Sequence, residues 1–447
     1  MPTSYRSRPG RARRRAREIS PYRPDRGSAV NSAPSAHVHP LAHWRGQMSR
    51  TIKGSHMAIK PVTGTESYWG DVRPTQSQVS LINKSPTLQK DLTDYGAAIA
   101  AGEMKPIEIG PDGGGYFDNA VKHRIVLSHD VAQFDDNNWI AGLSHELGHF
   151  ESRQNDKALA ARYDTPARDP SAYNVRAMNG MRDEGEAIYN NWRVEHEILE
   201  NTTSDGHPGT LVGIIGEAPG GPIEQALDQV HAAEVNAGRS VEQDRNGMME
   251  AAAAMNALQR PSTDLSKTYF DYYAGGDRNI VPPGLGSPTA VQLSDPAGDG
   301  NITSMNETYA SGMQGTQNFG PDGKLTSADV KDAGGNVQKH IQYARQPDGA
   351  YTATTYDGRG ALTETDEFDK DGASVAHTFG RNGTQTAQAY DVSGAPMGAT
   401  IASASPPAAA LPASTQTAQT DAGGQAPADD AVEEPAFAES NMDPDAG

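Results

Sequence analysis

Cysteine is absent from the 447 residues. That removes disulfide scaffolds, thiolate zinc sites and cysteine nucleophiles together, and it leaves the redox compartment open. Aromatic residues make up 6% of the chain and the hydrophobic set 36%, too little for a core running along its whole length. No run approaches the ~20 apolar residues of a membrane-spanning helix, which excludes an integral membrane segment of that kind. There is no G-x-x-x-x-G-K-[ST] phosphate loop and no G-x-S-x-G nucleophile elbow. The glycine run at 113–115 lacks the lysine and the strand–helix context of a phosphate site and reads as a turn.

Glycine, proline and acid are plentiful instead. With 47 Gly and 30 Pro, long stretches are expected to be loop or disordered. The net charge of -19 argues against nucleic acid as the main partner. The charge is also uneven. Residues 1–53 carry twelve Lys and Arg against Glu18 and Asp25, a net of +10, which leaves -29 on the rest. The segment 1–56 is basic, lacks hydrophobic periodicity and reads as disordered. No apolar h-region follows its basic stretch, so a secretory signal peptide is not expected. It fits a targeting or nucleic-acid arm, or an upstream extension of a chain starting at Met48 or Met57.

Residues 57–276 have globular composition. Helical spacing recurs over 86–102 and at roughly 137–152, 155–163, 172–200, 222–236 and 241–259. Lys84-Ser-Pro-Thr87 reads as a capped helix start. A hairpin-like stretch links Ile107 and Ile109 to Ile125-Val126-Leu127 across a Pro-Asp-Gly turn. The expectation is an α+β fold: a mostly helical domain with a small β-sheet. Residues 277–315, rich in Pro, Gly and Asn, read as a linker. An aromatic-x-x-x-Gly motif then recurs from Phe319, Tyr356, Phe368, Phe379 and Tyr390, the last four 12, 11 and 11 residues apart. That period allows one short strand and a glycine turn per unit, a β-repeat module over 316–400. Residues 401–447 read as a disordered acidic Ala/Pro tail.

The sharpest chemical signal is His145-Glu146-Leu-Gly-His149. On a helix, residues four apart lie about 40° from one another, so both imidazoles can bind one Zn²⁺. Glu146, rotated by about 100°, reaches the open side of the metal. There it can take a proton from the metal's water, whose pKa zinc lowers toward ~7. With 13 histidines in 447 residues, the pattern arises by chance in roughly one or two chains per hundred. Its flanks Trp139, Ile140, Leu143, Leu147 and Phe150 are amphipathic, and Gly148 permits a close approach. Metal binding is the expected reading.

Two histidines leave the metal a ligand short. Downstream, Asp183-Glu184-Gly185-Glu186-Ala187-Ile188-Tyr189 resembles the Asn/Asp-Glu-Gly-x-Ala-x-Tyr string of gluzincin metallopeptidases. That resemblance implies Glu184 as the third zinc ligand, with Gly185 and Ala187 allowing close helix packing. Glu186 is the rival, because Glu186-Ala-Ile-Tyr-Asn190 is similar to another gluzincin pattern. The 35 residues from His149 to Glu184 are nearer the long gap of clostridial-neurotoxin-like and plant-pathogen effector zinc proteases. The glycine-turn units resemble the tyrosine-aspartate repeats of bacterial secreted toxins and cell-surface proteins.

For the transition-state oxyanion, Tyr269, Tyr272, Tyr273, His196, His207 and His231 are candidates. Asp183 either accepts the free ring N–H of a ligand histidine or is a solvated helix charge, and the second reading is preferred. His123 and His129 flank the 123–128 strand and read as structural. The resemblance implies a zinc metallopeptidase acting on protein or peptide substrate, laid antiparallel to that strand. It also implies a bacterial effector or toxin that is secreted or translocated, with a cytoplasmic location open. The alternatives are a zinc-dependent amidase or deacylase, and a surface-binding repeat protein with a structural zinc.

Overall fold

The computed structural model describes residues 60–404, apart from 111–115, 119–122, 130–134, 205–207, 262–263, 276–279 and 283. The disorder expected for 1–56, and for all but the first residues of the acidic tail, lies outside the described residues. Along the chain come α1 (Gln76–Ile82), α2 (Pro86–Ala100), β1 (Glu108–Gly110), β2 (Tyr116–Asp118), β3 (Arg124–Ser128), α3 (Asp136–Arg162), α4 (Ala172–Thr202), α5 (Pro222–Asn236), α6 (Val241–Asn256) and α7 (Tyr269–Ala274). Ten strands follow: β4 (Ala290–Ser294), β5 (Ser304–Thr308), β6 (Gln314–Phe319), β7 (Leu325–Lys331), β8 (Val337–Arg345), β9 (Tyr351–Asp357), β10 (Leu362–Phe368), β11 (Ser374–Phe379), β12 (Thr384–Tyr390) and β13 (Pro396–Ala404). The class is α+β, as expected.

Polar side chains cap five of the described α-helices, all but α4 and α5. Thr75 and Ser240 make reciprocal capping boxes with Gln78 and Gln243, and Ser85 caps α2 with Pro86 in the first turn. The two helices expected over 137–152 and 155–163 are one. No Pro or Gly interrupts residues 150–162, and α3 ends only as the chain nears Pro166.

The hairpin expected between Ile109 and Ile125 is not there. The sheet order is β1-β3-β2, with β1 parallel to β3 and β2 antiparallel to it. The intervening β2 takes the hairpin partnership, so β1 reaches β3 from the other side. Strand β3 is therefore central, paired with β1 over residues 126–128 on one edge and with β2 over residues 124–126 on the other. A substrate laid antiparallel to it, as the sequence leads one to expect, would meet these partners first.

The linker expected over 277–315 is a second correction, since it holds β4, β5 and the start of β6. Gly298, Gly300 and Gly312 lie in its turns, while the strands alternate: Leu293 and Met305 are buried and face the helices. The last strand also runs to Ala404, into the expected tail. All ten strands pair antiparallel in chain order. At the turns Gly323, Gly360, Gly372, Gly383 and Gly394 have φ of 76–93°, the left-handed region where a side chain is strained. Where the motif carries Asp (Asp357, Asp369, Asp391), one carboxylate oxygen accepts backbone N–H groups two and four residues on. That closes each turn locally.

Sheet and helices share a core. Leu293, Ile302, Met305, Phe319 and Leu325 pack with Tyr163, Val175, Met178, Met181 and Phe270 in one buried cluster. The loop joining α3 to α4 is seated on the sheet. Buried Asp169 in that loop accepts hydrogen bonds from Tyr343 Oη (3.0 Å) and Tyr351 Oη (2.7 Å). Arg168 pairs with Glu364 (3.4 Å) and lies over the Tyr390 ring at 4.4 Å. Helix α4 is the centre of the helical layer, packed against α2, α3, α6 and α7. That is why it buries Asn174, Arg182, Glu184, Glu186, Asn191, Glu195 and Glu197 as well as apolar side chains.

Candidate metal centre

Two helices and one short helix build the site. Helix α3 presents His145 and His149 one turn apart, with ring centroids 4.8 Å apart and ring planes perpendicular. Helix α4 runs close beside it because Gly148 has no side chain. A Cβ there would lie 2.7 Å from the Ala187 Cα and 2.9 Å from the Asn190 Cβ. On the other side of α4, a Cβ on Gly185 would lie 2.4 Å from the Met249 carbonyl oxygen of α6. The close packing read from Gly148, Gly185 and Ala187 is thus observed.

At this approach Glu184 Oε2 lies 3.4 Å from His145 Nε2 and 3.9 Å from His149 Nε2. The ligand atoms of His145, His149 and Glu184 fall within 4.8 Å of one another, and the three residues could hold a metal ion. Two imidazole nitrogens and a carboxylate oxygen converging on one buried point suit a borderline cation. Glu146 stands beside them. His145, Glu146 and Glu184 are 7%, 3% and 6% exposed, and Glu146 Oε2 has no hydrogen-bond partner among the described residues.

Asp183 is not a solvated helix charge but a partner of a candidate ligand histidine. Its Oδ1 lies 2.8 Å from His149 Nδ1, which orients the ring and leaves Nε2 for the shared point. Glu186 faces elsewhere, with Oε1 accepting a hydrogen bond from Asn155 Nδ2. The two-residue step along α4 turns the two glutamates to different faces: Glu184 joins the histidines and Glu186 does not.

The electrostatics favour positive charge at the shared point. Burial by itself would lower the His149 pKa. It is outweighed by the charge and hydrogen bond of Asp183 and by Glu184 and Glu146, which push it up to about 10. Burial would likewise raise Glu184, but its contacts with His145, His149 and Tyr273 hold it at about 2. Glu146, whose burial dominates the two nearby imidazoles, is shifted above the usual carboxylate range.

The oxyanion candidates separate. The Tyr273 hydroxyl donates to Glu184 Oε1, and Tyr269 stacks on Tyr273 with centroids 5.9 Å apart. Burial, and after it the charges of Glu184 and Glu146, raise the Tyr269 pKa. Tyr272 is exposed. His196 pairs with Asp228 at 3.2 Å and His231 with Asp244 at 2.7 Å, and both rings lie against Trp192. His123 and His129 are exposed at the two ends of β3, and His207 lies outside the described residues. The sequence singled out the tyrosines as a group; their different contacts depend on how α7 docks.

The sequence matches no protein-family model, and a search of curated proteins finds no match.

Proposed function

We propose that the protein is a zinc-dependent peptidase in which His145, His149 and Glu184 hold the metal. One observation carries the reading: Glu184 Oε2 converges with both imidazole Nε2 atoms at 3.4 and 3.9 Å, with the buried, raised-pKa carboxyl of Glu146 alongside. Bound there, zinc would supply a Lewis acid that polarises water and the scissile carbonyl. Glu146 accepts the proton of the attacking water and returns it to the departing amine, a task suited to a carboxyl shifted upward by burial. Tyr269, kept protonated by burial and two nearby carboxylates, donates to the developing oxyanion. An extended substrate would add to β2, an outer strand of its sheet that packs on α3. The reading extends to a secreted or translocated bacterial effector or toxin, supported by the resemblance of the aromatic-Asp-x-x-Gly turns to secreted repeat proteins.

The test is zinc per chain by mass spectrometry on the purified protein and on His145→Ala, Glu184→Ala and Glu186→Ala. One zinc per chain, lost in the first two variants and kept in the third, is expected. A peptide-library digest then compares the parent with Glu146→Gln. Absence of zinc after reconstitution sinks the reading. Zinc binding with no Glu146-dependent cleavage of any peptide would turn it toward another amide substrate.

A further inference from the structure

Glu184 uses its two oxygens differently. Oε2 faces His145 Nε2 and His149 Nε2, whereas Oε1 accepts the hydrogen bond of the Tyr273 hydroxyl. Tyr273 is held in that position from three directions. Helix α7 is capped by Thr268. Asp271, in the same helix, accepts from Tyr173 Oη of α4 at 2.7 Å and from the Ser287 hydroxyl just ahead of β4. Arg176 of α4 donates to the Ala274 and Gly275 carbonyls at the end of α7. The Tyr273 side chain lies against the bare backbone of Gly180, where a Cβ would come within 2.2 Å of its Cγ. The fold thus leaves a slot in α4, one turn before the ligand, that only glycine provides.

From this geometry we propose that Tyr273 is a positioning residue for the metal centre: by occupying Glu184 Oε1 it presents a single carboxylate oxygen to the ion, and Gly180 makes this possible. The inference rests on the proposed metal reading and deepens it. It also moves Tyr273 out of the group of oxyanion donors, since its one proton is committed to the ligand. A carboxylate freed from such a contact can rotate and offer both oxygens, and loss of an outer-shell partner typically costs about 10–100-fold in metal affinity.

The test uses the full chain and Co²⁺ or Zn²⁺ alone, with no substrate. Metal affinity is measured by chelator competition, and the visible spectrum of the Co²⁺ form reports coordination number. Tyr273→Phe keeps the ring and removes only the hydroxyl. It is expected to bind metal about 10–100-fold more weakly and to show the weaker visible absorption of a higher-coordinate Co²⁺. Gly180→Ala, a change that by itself favours helix, is expected to push the ring from Glu184 and give the same weakening and spectral change. Tyr272→Phe, on the exposed side of α7, is expected to match the parent in both. If the parent binds metal and Tyr273→Phe and Gly180→Ala are indistinguishable from it, the positioning role is overturned and the metal reading stands. If Tyr273→Phe does not fold, Gly180→Ala alone decides by the same criterion. A parent that binds neither ion overturns the metal reading, and this inference with it.

Discussion

His149 Nδ1 and Asp183 Oδ1 lie 2.8 Å apart and join α3 to α4 directly beside Glu184. A single contact therefore orients one imidazole and ties together the two helices that carry all three candidate ligands. Asp183 is more exposed than its neighbours, so its removal is expected to spare the fold. Asp183→Asn should weaken zinc binding by about 10–100-fold while the circular dichroism stays that of the parent. Chelator competition checks this, and an unchanged affinity would mean that packing alone orients the ring.

The approach of α3 to α4 depends on Gly148. Replacing it with Ala gains up to ~1 kcal/mol of helix propensity, yet the new methyl would sit 2.7 Å from the Ala187 Cα. Overpacking of this kind costs about 1–3 kcal/mol. Gly148→Ala is therefore expected to lower the urea midpoint and to weaken metal binding by parting the helices. A variant more stable than the parent would show that the interface gives way freely.

Glu307 ties pH to stability. It is fully buried on β5 and accepts a hydrogen bond from Asn174 Nδ2 at 2.7 Å; burial pushes its pKa up to about 7. A carboxyl with a raised folded-state pKa binds more protons in the folded than in the unfolded chain. Its contribution is complete below the unfolded pKa, near 4.5, and is lost as pH rises to about 7, on the order of 3 kcal/mol over that window. Glu307→Gln should flatten the denaturant-stability profile between pH 4.5 and 7 by that amount relative to the parent. Parallel profiles would contradict the burial argument.

The shared core is expected to make the two halves one cooperative unit. Among the described residues the tryptophans are Trp69, Trp139 and Trp192, all in the helical half, so their fluorescence reports that half alone. Far-UV dichroism reports helices and sheet together. The two probes are expected to give coincident denaturation curves, and a chain ending at residue 276 is expected not to fold, because it strips buried Asp169 of both tyrosine hydroxyls and removes the sheet side of the Tyr163–Phe270 cluster. Separate transitions, or a folded truncated chain, would show that the sheet is dispensable.

Some of this protein is written in short stretches of its sequence. His145 and His149 share a helix face because four residues of an α-helix return almost to the same direction, and Glu146 follows from the same local geometry. The capped start at Ser85-Pro86 and the glycine turns of the sheet are equally local: each depends on a few consecutive residues and their φ/ψ preferences. The strands β4 and β5 read as linker in the sequence because their turns are rich in Gly and Pro and their solvent-facing positions are polar. The alternation of Val291 with Leu293 was the available signal.

What separates Glu184 from Glu186 is not local. Both lie on one buried helix, and only the approach of α3 at Gly148 decides which carboxylate meets the histidines. The contact of Asp183 with His149, the docking of Tyr273 into the Gly180 slot, and the parallel pairing of β1 with β3 all join residues far apart in the chain. Sequence spacing specifies direction around a helix axis; it says nothing of which neighbour stands there. Packing supplies that neighbour, and with it the point where a metal ion would sit.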